Sequence, residues 1–192
     1  MYRSVVLLLV SCTVSLADTA VLFETDFSAL PDGWVNDEWE FDHPGAHVSH
    51  GVQWDTWSGV FNSVPSSPGI CFVPDGTDSV VVHIEHTLIL EGDYYSSRVQ
   101  LWTNHSGWGD YIFDQSGSGG YTLITDPVHF VITDPDPGTW VGFKFRAYLS
   151  AGYMGYSGMS WTVHSMTVTA WGDALGLETT TWSAIKSLST SP

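Results

Sequence analysis

Apolar and polar residues alternate along most of the chain with a period of two, which is the pattern of half-buried β-strands. The clearest run covers residues 78–90. Alternate positions of a strand share one face, so this run predicts a core face and a wetter face. The core face holds Val80, Val82, Ile84, Leu88 and Leu90, and the wetter face holds Val81, His83, Glu85 and Thr87.

The same alternation predicts further strands, and turn residues separate them. These strands cover residues 21–27, 96–103, 121–125, 128–133, 140–149 and 160–171. Glycine-rich loops are expected at 102–111 and 150–159. Strands that alternate with helices, the mark of a parallel sheet, are absent from the sequence pattern. We therefore predict an all-β domain over residues 21–173, a two-sheet antiparallel jelly-roll β-sandwich.

The two ends of the chain differ from this domain. Residues 1–20 combine Arg3, an apolar run from Val5 to Val10 and small residues before Ala17, which predicts a secretory signal peptide cleaved after Ala17. The alternative is a lipobox that ends in Cys12, which would anchor the protein through a lipid. Residues 174–192 form a Ser/Thr-rich tail with room for a short helix at 182–188. We expect a secreted or cell-surface protein without a membrane span.

Composition narrows the partners. The chain is 43% hydrophobic and 14% aromatic, so it is not a disordered polyanion despite a formal net charge of −16. With 5 lysines and arginines against 21 acidic residues, it lacks the cations that a nucleic-acid partner requires. After cleavage at Ala17 the single cysteine, Cys71, lies in an apolar run and is expected to be a buried thiol.

Four segments in order resemble the jelly-roll modules of cleaved-adhesin, MAM-like and choice-of-anchor type in secreted bacterial proteins. They are the opening strand with its Pro31-Asp32-Gly33-Trp34 turn, the pair of strands from 67 to 89, the strand 138–149 and the closing strand 160–168. The resemblance covers about residues 21–173 and implies a non-catalytic binding or adhesion module.

The resemblance suggests one cofactor, a bound calcium ion. No other cofactor is expected. Such modules often carry an Ile-Asp-Asp-Val pattern in the closing strand, where this chain has Val163-His164-Ser165-Met166. Glu24 and Asp26 on the opening strand remain as calcium candidates, because hard oxygen ligands suit that ion. The alternative is a solvated strand residue at Glu24 and a turn cap at Asp26.

The histidines do not predict a metal centre. His43 and His47 are four residues apart, but Pro44 and Gly45 between them prevent a helix, and on a strand His47 and His50 face opposite sides. His86 falls on the apolar face of its strand and is expected to be a hydrogen-bonded core histidine.

Catalytic chemistry has weak support in the sequence. Glu38, Glu40 and Glu85 are the least arbitrary candidates for a divergent glycoside hydrolase, which needs two carboxylates across a cleft. No nucleophile elbow, no Cys–His arrangement and no phosphate loop accompanies them. We therefore expect a protein that is not an enzyme.

Aromatic side chains beside amides and carboxylates favour a ligand-binding role, because sugar rings pack on aromatic faces while polar groups bind their hydroxyls. The first predicted cluster is in the glycine-broken segment 102–111, and the second is in the segment 150–159. Together they contain Trp102, Asn104, Trp108, Asp110, Tyr111, Tyr153 and Tyr156. The expected partner is a glycan or a cell-surface protein; the alternative is a structural envelope protein without a small ligand.

Overall fold

The computed structural model describes residues 18–42, 44–53, 55–63, 71–103, 110–117, 120–173 and 175. Within these ranges the protein is all-β and contains no helix. No helix in this part of the chain has the length and apolarity of a membrane span. The predicted signal peptide, Cys12 and the tail beyond Leu175 lie outside the described residues.

The described residues form twelve strands, and two of these strands are much longer than the rest. The short strands are β1 (Asp18–Thr25), β2 (Trp34–Asp37), β3 (Glu40–Asp42), β4 (Gly45–Gln53), β5 (Thr56–Ser63), β6 (Cys71–Phe72), β8 (Asp110–Gly117), β9 (Gly120–Ile124), β10 (Val128–Thr133) and β11 (Trp140–Val141). The long strands are β7 (Ser79–Thr103) and β12 (Phe143–Gly172).

The long strands pair with each other in antiparallel fashion along almost their whole length, and each contributes to two layers. In the first layer, the C-terminal half of β12 pairs with the N-terminal half of β7. β1 and β4 line the free edge of β12, β9 and β10 line the free edge of β7, and β3 extends β4.

The second layer contains the other halves of the same two strands. Here the N-terminal half of β12 pairs with the C-terminal half of β7, giving the order β2–β5–β12–β7–β8. A separate two-stranded ladder joins β6 to β11. All of these pairs are antiparallel. Because the two halves of β12 also pack on each other through their side chains, the described part of the protein is a two-layer antiparallel β-sandwich.

Aromatic side chains fill the space between the layers. The ring of Trp161, on the first-layer half of β12, lies 5.8 Å from that of Phe145 on the second-layer half, measured between centroids. Trp39 contacts both rings from the loop after β2. Burying such rings against each other stabilises the fold, since each removes on the order of 150–250 Å² from water. Cys71 is a free, buried thiol, as predicted.

The predicted core faces are confirmed. All five residues predicted for the core face of segment 78–90 are buried. In β11 and β12, alternate residues from Val141 to Leu149 are also buried, while Lys144, Arg146 and Tyr148 between them are half-buried. The period-two pattern therefore identified which side of these two segments faces the core.

The boundaries needed three corrections. Residues 96–103 are not a separate strand but continue β7, and the first strand begins at Asp18, directly after the predicted cleavage position. The predicted loops at 110–111 and 150–159 belong to β8 and β12. Glycine and serine there favour a loop locally, but the backbone of 156–159 is paired with β4 on one side and β7 on the other. Those ladder hydrogen bonds outweigh the local preference.

Candidate functional site

A shallow depression of about 470 Å³ lies on the outer face of the first layer. We call it the tyrosine depression, because two exposed tyrosines from different strands line it. Its lining comes from β4, β7, β9 and β12, and consists of Ser49, His50, Gly51, Ile89, Glu91, Tyr121, Tyr156, Met159 and Ser160. Its volume is within the range of small-ligand sites, roughly 300–1,000 Å³.

Two glycines make room for the first tyrosine. Gly51 of β4 and Gly158 of β12 lie directly opposite each other in the strand register. A Cβ atom at Gly51 would lie 2.8 Å from the Tyr156 hydroxyl oxygen, and one at Gly158 would lie 2.5 Å from it. The Tyr156 ring therefore lies on a floor of bare backbone, a pairing that shields glycine in a sheet. It remains 41% exposed.

A carboxylate fixes the position of this ring. Tyr156 Oη donates a hydrogen bond to Glu91 Oε1 at 3.3 Å. Burial, together with the negative charge of Glu91 and this hydrogen bond, raises the pKa of Tyr156 above its usual value. The hydroxyl therefore stays protonated, and Glu91 keeps its other oxygen beside the aromatic surface.

The opposite wall comes from the adjacent strand. Tyr121 of β9 pairs with Glu91 of β7 and is 64% exposed, the largest exposure of any large apolar side chain among the described residues. One step along the sheet, Ser49 pairs with Ser160, which pairs with Ile89. The depression thus presents two phenol rings, one carboxylate and two serine side chains on strands that neighbouring ladders hold in place.

His50 borders the depression and connects it to the rim of the core. Its ring stacks on Trp57 at a centroid distance of 4.4 Å and an interplanar angle of 9°. The Trp57 indole nitrogen donates to the Glu38 carboxylate. His50 therefore borders the depression through its position in β4, while its imidazole packs on Trp57 at the rim of the core, on the other side of the strand.

The predicted ligand residues do not form one site. Tyr156 lines the tyrosine depression, whereas Trp102 faces outward from the second layer, where Lys144 Nζ lies 5.2 Å from its ring centroid. Asp110 and Tyr111 have their backbone in β8 and Tyr153 in β12; their side chains are outside the description. Asn104 and Trp108 lie outside the described residues.

Tyr121 and Glu91 were missed by the sequence reasoning. Tyr121 starts a predicted strand in which positions 121 and 123 share a face, and both of these apolar residues are exposed. An outward row of large apolar residues on a strand was therefore the available signal. Nothing in the sequence places Glu91 opposite Tyr121, because that neighbour relation depends on the register between β7 and β9.

The calcium candidates occupy ordinary positions. Glu24 lies on β1 opposite Thr167 of β12. Asp26 Oδ1 accepts a hydrogen bond from the Ser28 backbone nitrogen at 2.9 Å, which is a turn cap. Among the described residues no group of three or more His, Cys, Asp and Glu side chains is arranged to hold a metal ion. A calcium role for this pair stays a prediction.

The histidines of β4 face opposite sides of the strand. His47 Nδ1 is 2.9 Å from Thr162 Oγ1 on the outer face, and His50 packs on Trp57 at the rim. His43 lies outside the described residues. His86 is a hydrogen-bonded core histidine, as predicted: its Nδ1 accepts a hydrogen bond from Trp161 Nε1 at 3.2 Å.

The three candidate catalytic carboxylates come from separate environments. Glu38 accepts from Trp57, Glu85 Oε1 is 2.9 Å from His83 Nε2, and Glu40 pairs with His47 across β3 and β4. The side chains of Glu38 and Glu85 are therefore already paired with Trp57 and His83. None of the three lines the tyrosine depression.

Comparison with known proteins identifies no family. No family model matches the chain, and no curated protein matches it. Among solved structures, one titled "CBM4 structure and function" is similar with a TM-score of 0.32 and 11% sequence identity, over 69% of this chain and 93% of that one. A structure of the Gt strain of infectious bursal disease virus is similar with a TM-score of 0.29 and 13% identity, over 76% of this chain and 38% of that one.

Proposed function

We propose that this protein is a secreted, non-catalytic module that binds a glycan chain in the tyrosine depression. The observation that carries the proposal is the pair of exposed phenol rings, Tyr121 and Tyr156, on either side of the Glu91 carboxylate. Sugar rings present C–H faces that pack on aromatic rings, and hydroxyls that bind carboxylates. The depression supplies both kinds of group within one strand spacing.

The rigidity of the depression supports the same function. Tyr156 is held by Glu91 and by the paired glycines beneath it, and all lining residues lie on strands with ladder partners. A ligand therefore does not have to order Tyr156 or the backbone of the lining strands when it binds, which preserves affinity. The shallow, open shape favours a segment of a polymer over a small molecule enclosed on all sides.

The proposal is tested by binding of the full chain to a panel of neutral polysaccharides. We expect Tyr121→Ala to weaken binding about tenfold, which is the loss of about 1.4 kcal/mol at a central aromatic contact. Tyr156→Ala should weaken it further, because the glycine floor also loses its cover. Isothermal titration or affinity electrophoresis measures both effects.

Trp171→Ala provides the matched control. Trp171 is also an exposed aromatic residue of the first layer, but it lies outside the depression. It should leave glycan affinity within about twofold of the wild type. Absence of binding to every glycan in the panel, or equal losses in Trp171→Ala and Tyr121→Ala with unchanged melting temperatures, would contradict the proposal.

A second candidate function is contact with a cell-surface protein. One cross-strand row of the first layer, Val21–Thr169–Val81–Val131, exposes apolar side chains at both ends, and Trp171 is exposed two residues after Thr169. Exposed apolar residues grouped in this way are typical of protein contacts. Loss of cell adhesion in Val131→Asp, with glycan binding intact, would favour this alternative.

A further inference from the structure

The lysine and arginine side chains that the structure describes are concentrated on one surface. Every lysine and arginine in the described part of the chain, namely Arg98, Lys144 and Arg146, lies on the outer face of the second layer. The register pairs Lys144 with Trp102, Arg146 with Gln100 and Tyr148 with Arg98. We call this surface the cationic face and define it by these six residues.

The polar groups of the cationic face are held in fixed positions. Arg98 Nε donates to Asp114 Oδ1 at 2.8 Å, and its Nη2 donates to the other carboxylate oxygen. This hydrogen-bonded pair lowers the pKa of Asp114. Gln100 is only 4% exposed, and its amide oxygen, in the orientation that its neighbours require, lies 3.0 Å from Arg98 Nε. A buried polar side chain on the outer face of a sheet is unusual for a purely solvated surface.

The other two cations lie over aromatic rings. Lys144 Nζ is 5.2 Å from the ring centroid of Trp102, and the Arg146 guanidinium carbon is 5.9 Å from that of Tyr148. Cations in such contacts are less free to move, and the same rings offer flat surfaces beside the positive charges. Within the described residues no carboxylate forms a salt bridge with Arg146. Its planar donors remain suited to a carboxylate or a sulfate.

The cationic face contrasts with the net negative charge of the chain. Asp114 and Asp37 lie at the two ends of the cross-strand row that contains Arg146, so two carboxylates of the described residues flank the cationic face. The chain as a whole has a net charge of −16. An anion would therefore be repelled by most of the surface and attracted to this one region, which makes the cationic face the complementary surface for an anionic ligand.

We propose that the cationic face is a second binding site, for an anionic polysaccharide whose sugar units carry carboxylate or sulfate groups. Arg146 and Lys144 bind the anionic groups, while Trp102 and Tyr148 pack against the sugar rings. A polysaccharide fits better than a nucleic acid, because three cations are few for a densely charged phosphate backbone. This site lies on the face of the sandwich opposite the tyrosine depression and does not depend on the glycan proposed there.

The test uses the full chain with heparin as the sulfated probe, polygalacturonate as the carboxylated probe and dextran as the neutral control. We expect binding to at least one anionic probe and none to dextran through this face. Affinity should fall with salt at a log–log slope of about −2 to −3, since two or three ion contacts are made. Arg146→Gln should weaken binding about tenfold, and Lys144→Gln should weaken it in the same direction.

Thr19→Glu is the matched control, because it lowers the net charge by one unit, as Arg146→Gln does, on an exposed residue of the opposite layer. It should change affinity for the anionic probes less than twofold. The proposal is overturned by failure of both anionic probes to bind at low ionic strength, by equal losses in Thr19→Glu and Arg146→Gln, or by single-stranded DNA binding as tightly as the polysaccharides. Tyr156→Ala should leave this binding intact, so failure of the tyrosine depression and failure of the cationic face are separable.

Discussion

His86 is a buried residue whose neutral form the fold requires. It is 2% exposed, and its Nδ1 accepts from Trp161 Nε1, so this nitrogen cannot carry a proton without losing the hydrogen bond. The Phe113 ring lies 5.2 Å away between centroids. Burial lowers the pKa of His86, and His164 lowers it further, against the opposing effects of Asp126 and Glu85.

This environment predicts a loss of stability in mild acid. In the unfolded chain the imidazole has its ordinary pKa of about 6.5, whereas in the folded protein the pKa is lower. Between those two values the unfolded state binds more protons, so the free energy of unfolding falls as pH falls below about 6.5. We expect urea denaturation of the wild type to show this decline between pH 7 and pH 5.

A variant separates His86 from the other histidines. His86→Gln keeps an acceptor for Trp161 and removes the titration, so its unfolding free energy should depend less on pH over the same interval. His129→Gln removes an exposed histidine and should keep the wild-type slope. Identical slopes in all three proteins would show that another group causes the decline.

At the residue scale, the sequence predicted which side chains are buried, but it did not predict which side chains contact each other. The alternation along 78–90 placed His86 among core residues, and its burial follows from that pattern alone. The partner of its Nδ1, Trp161, is 75 residues away in the sequence. Likewise Tyr156 was found as an aromatic residue in a glycine-rich segment, but its contact with Glu91 required the register of β7 and β12.

At the element scale, the end of β12 depends on a close backbone approach. Gly172 pairs with Asp18 of β1, and a Cβ atom on Gly172 would lie 1.9 Å from the Gly76 carbonyl oxygen in the turn before β7. The obstacle is backbone, which cannot rotate away as a side chain could. Gly172 therefore allows the turn at residues 75–76 to pack on the end of the longest strand.

Replacing this glycine should separate the turn from the strand. We expect Gly172→Ala to reduce the free energy of unfolding by about 2–4 kcal/mol, because the added carbon forces a backbone shift in a packed region. Gly138→Ala is the control, since a Cβ there meets nothing within 4 Å and the cost is limited to its positive φ of 73°. Chemical denaturation compares the two. Equal losses would mean that the close approach to Gly76 does not determine stability.

The sequence pattern did not predict the lengths of β7 and β12. Glycine and serine near residues 92–97 and 150–158 predict breaks, and each long strand was accordingly predicted as two. In the structure the strands continue, with an irregularity in the ladder between Ala151 and Tyr156. Local residue preferences identify the position of this irregularity but miss the continuity of the strands, because the long antiparallel pairing of β7 with β12 is a tertiary effect.

At the scale of the whole molecule, the sandwich separates two chemically different surfaces. The tyrosine depression lies on the outer face of the first layer and the cationic face on the outer face of the second. Two sites on opposite faces cannot compete for one sugar unit. If both bind, the protein links two polymers, and its avidity for a mixed matrix exceeds its affinity for either polymer alone.

The shared long strands also predict that the two layers unfold together. Because β7 and β12 run through both layers, neither layer can lose its central pair while the other remains intact. Leu88 in the first layer and Leu149 in the second are fully buried.

We expect Leu88→Ala and Leu149→Ala each to reduce the free energy of unfolding by about 3 kcal/mol and to lower the melting temperature by about 6–12 °C. Each variant should show one transition, coincident by tryptophan fluorescence and far-ultraviolet circular dichroism. Two separate transitions in either variant would mean that the layers are independent units.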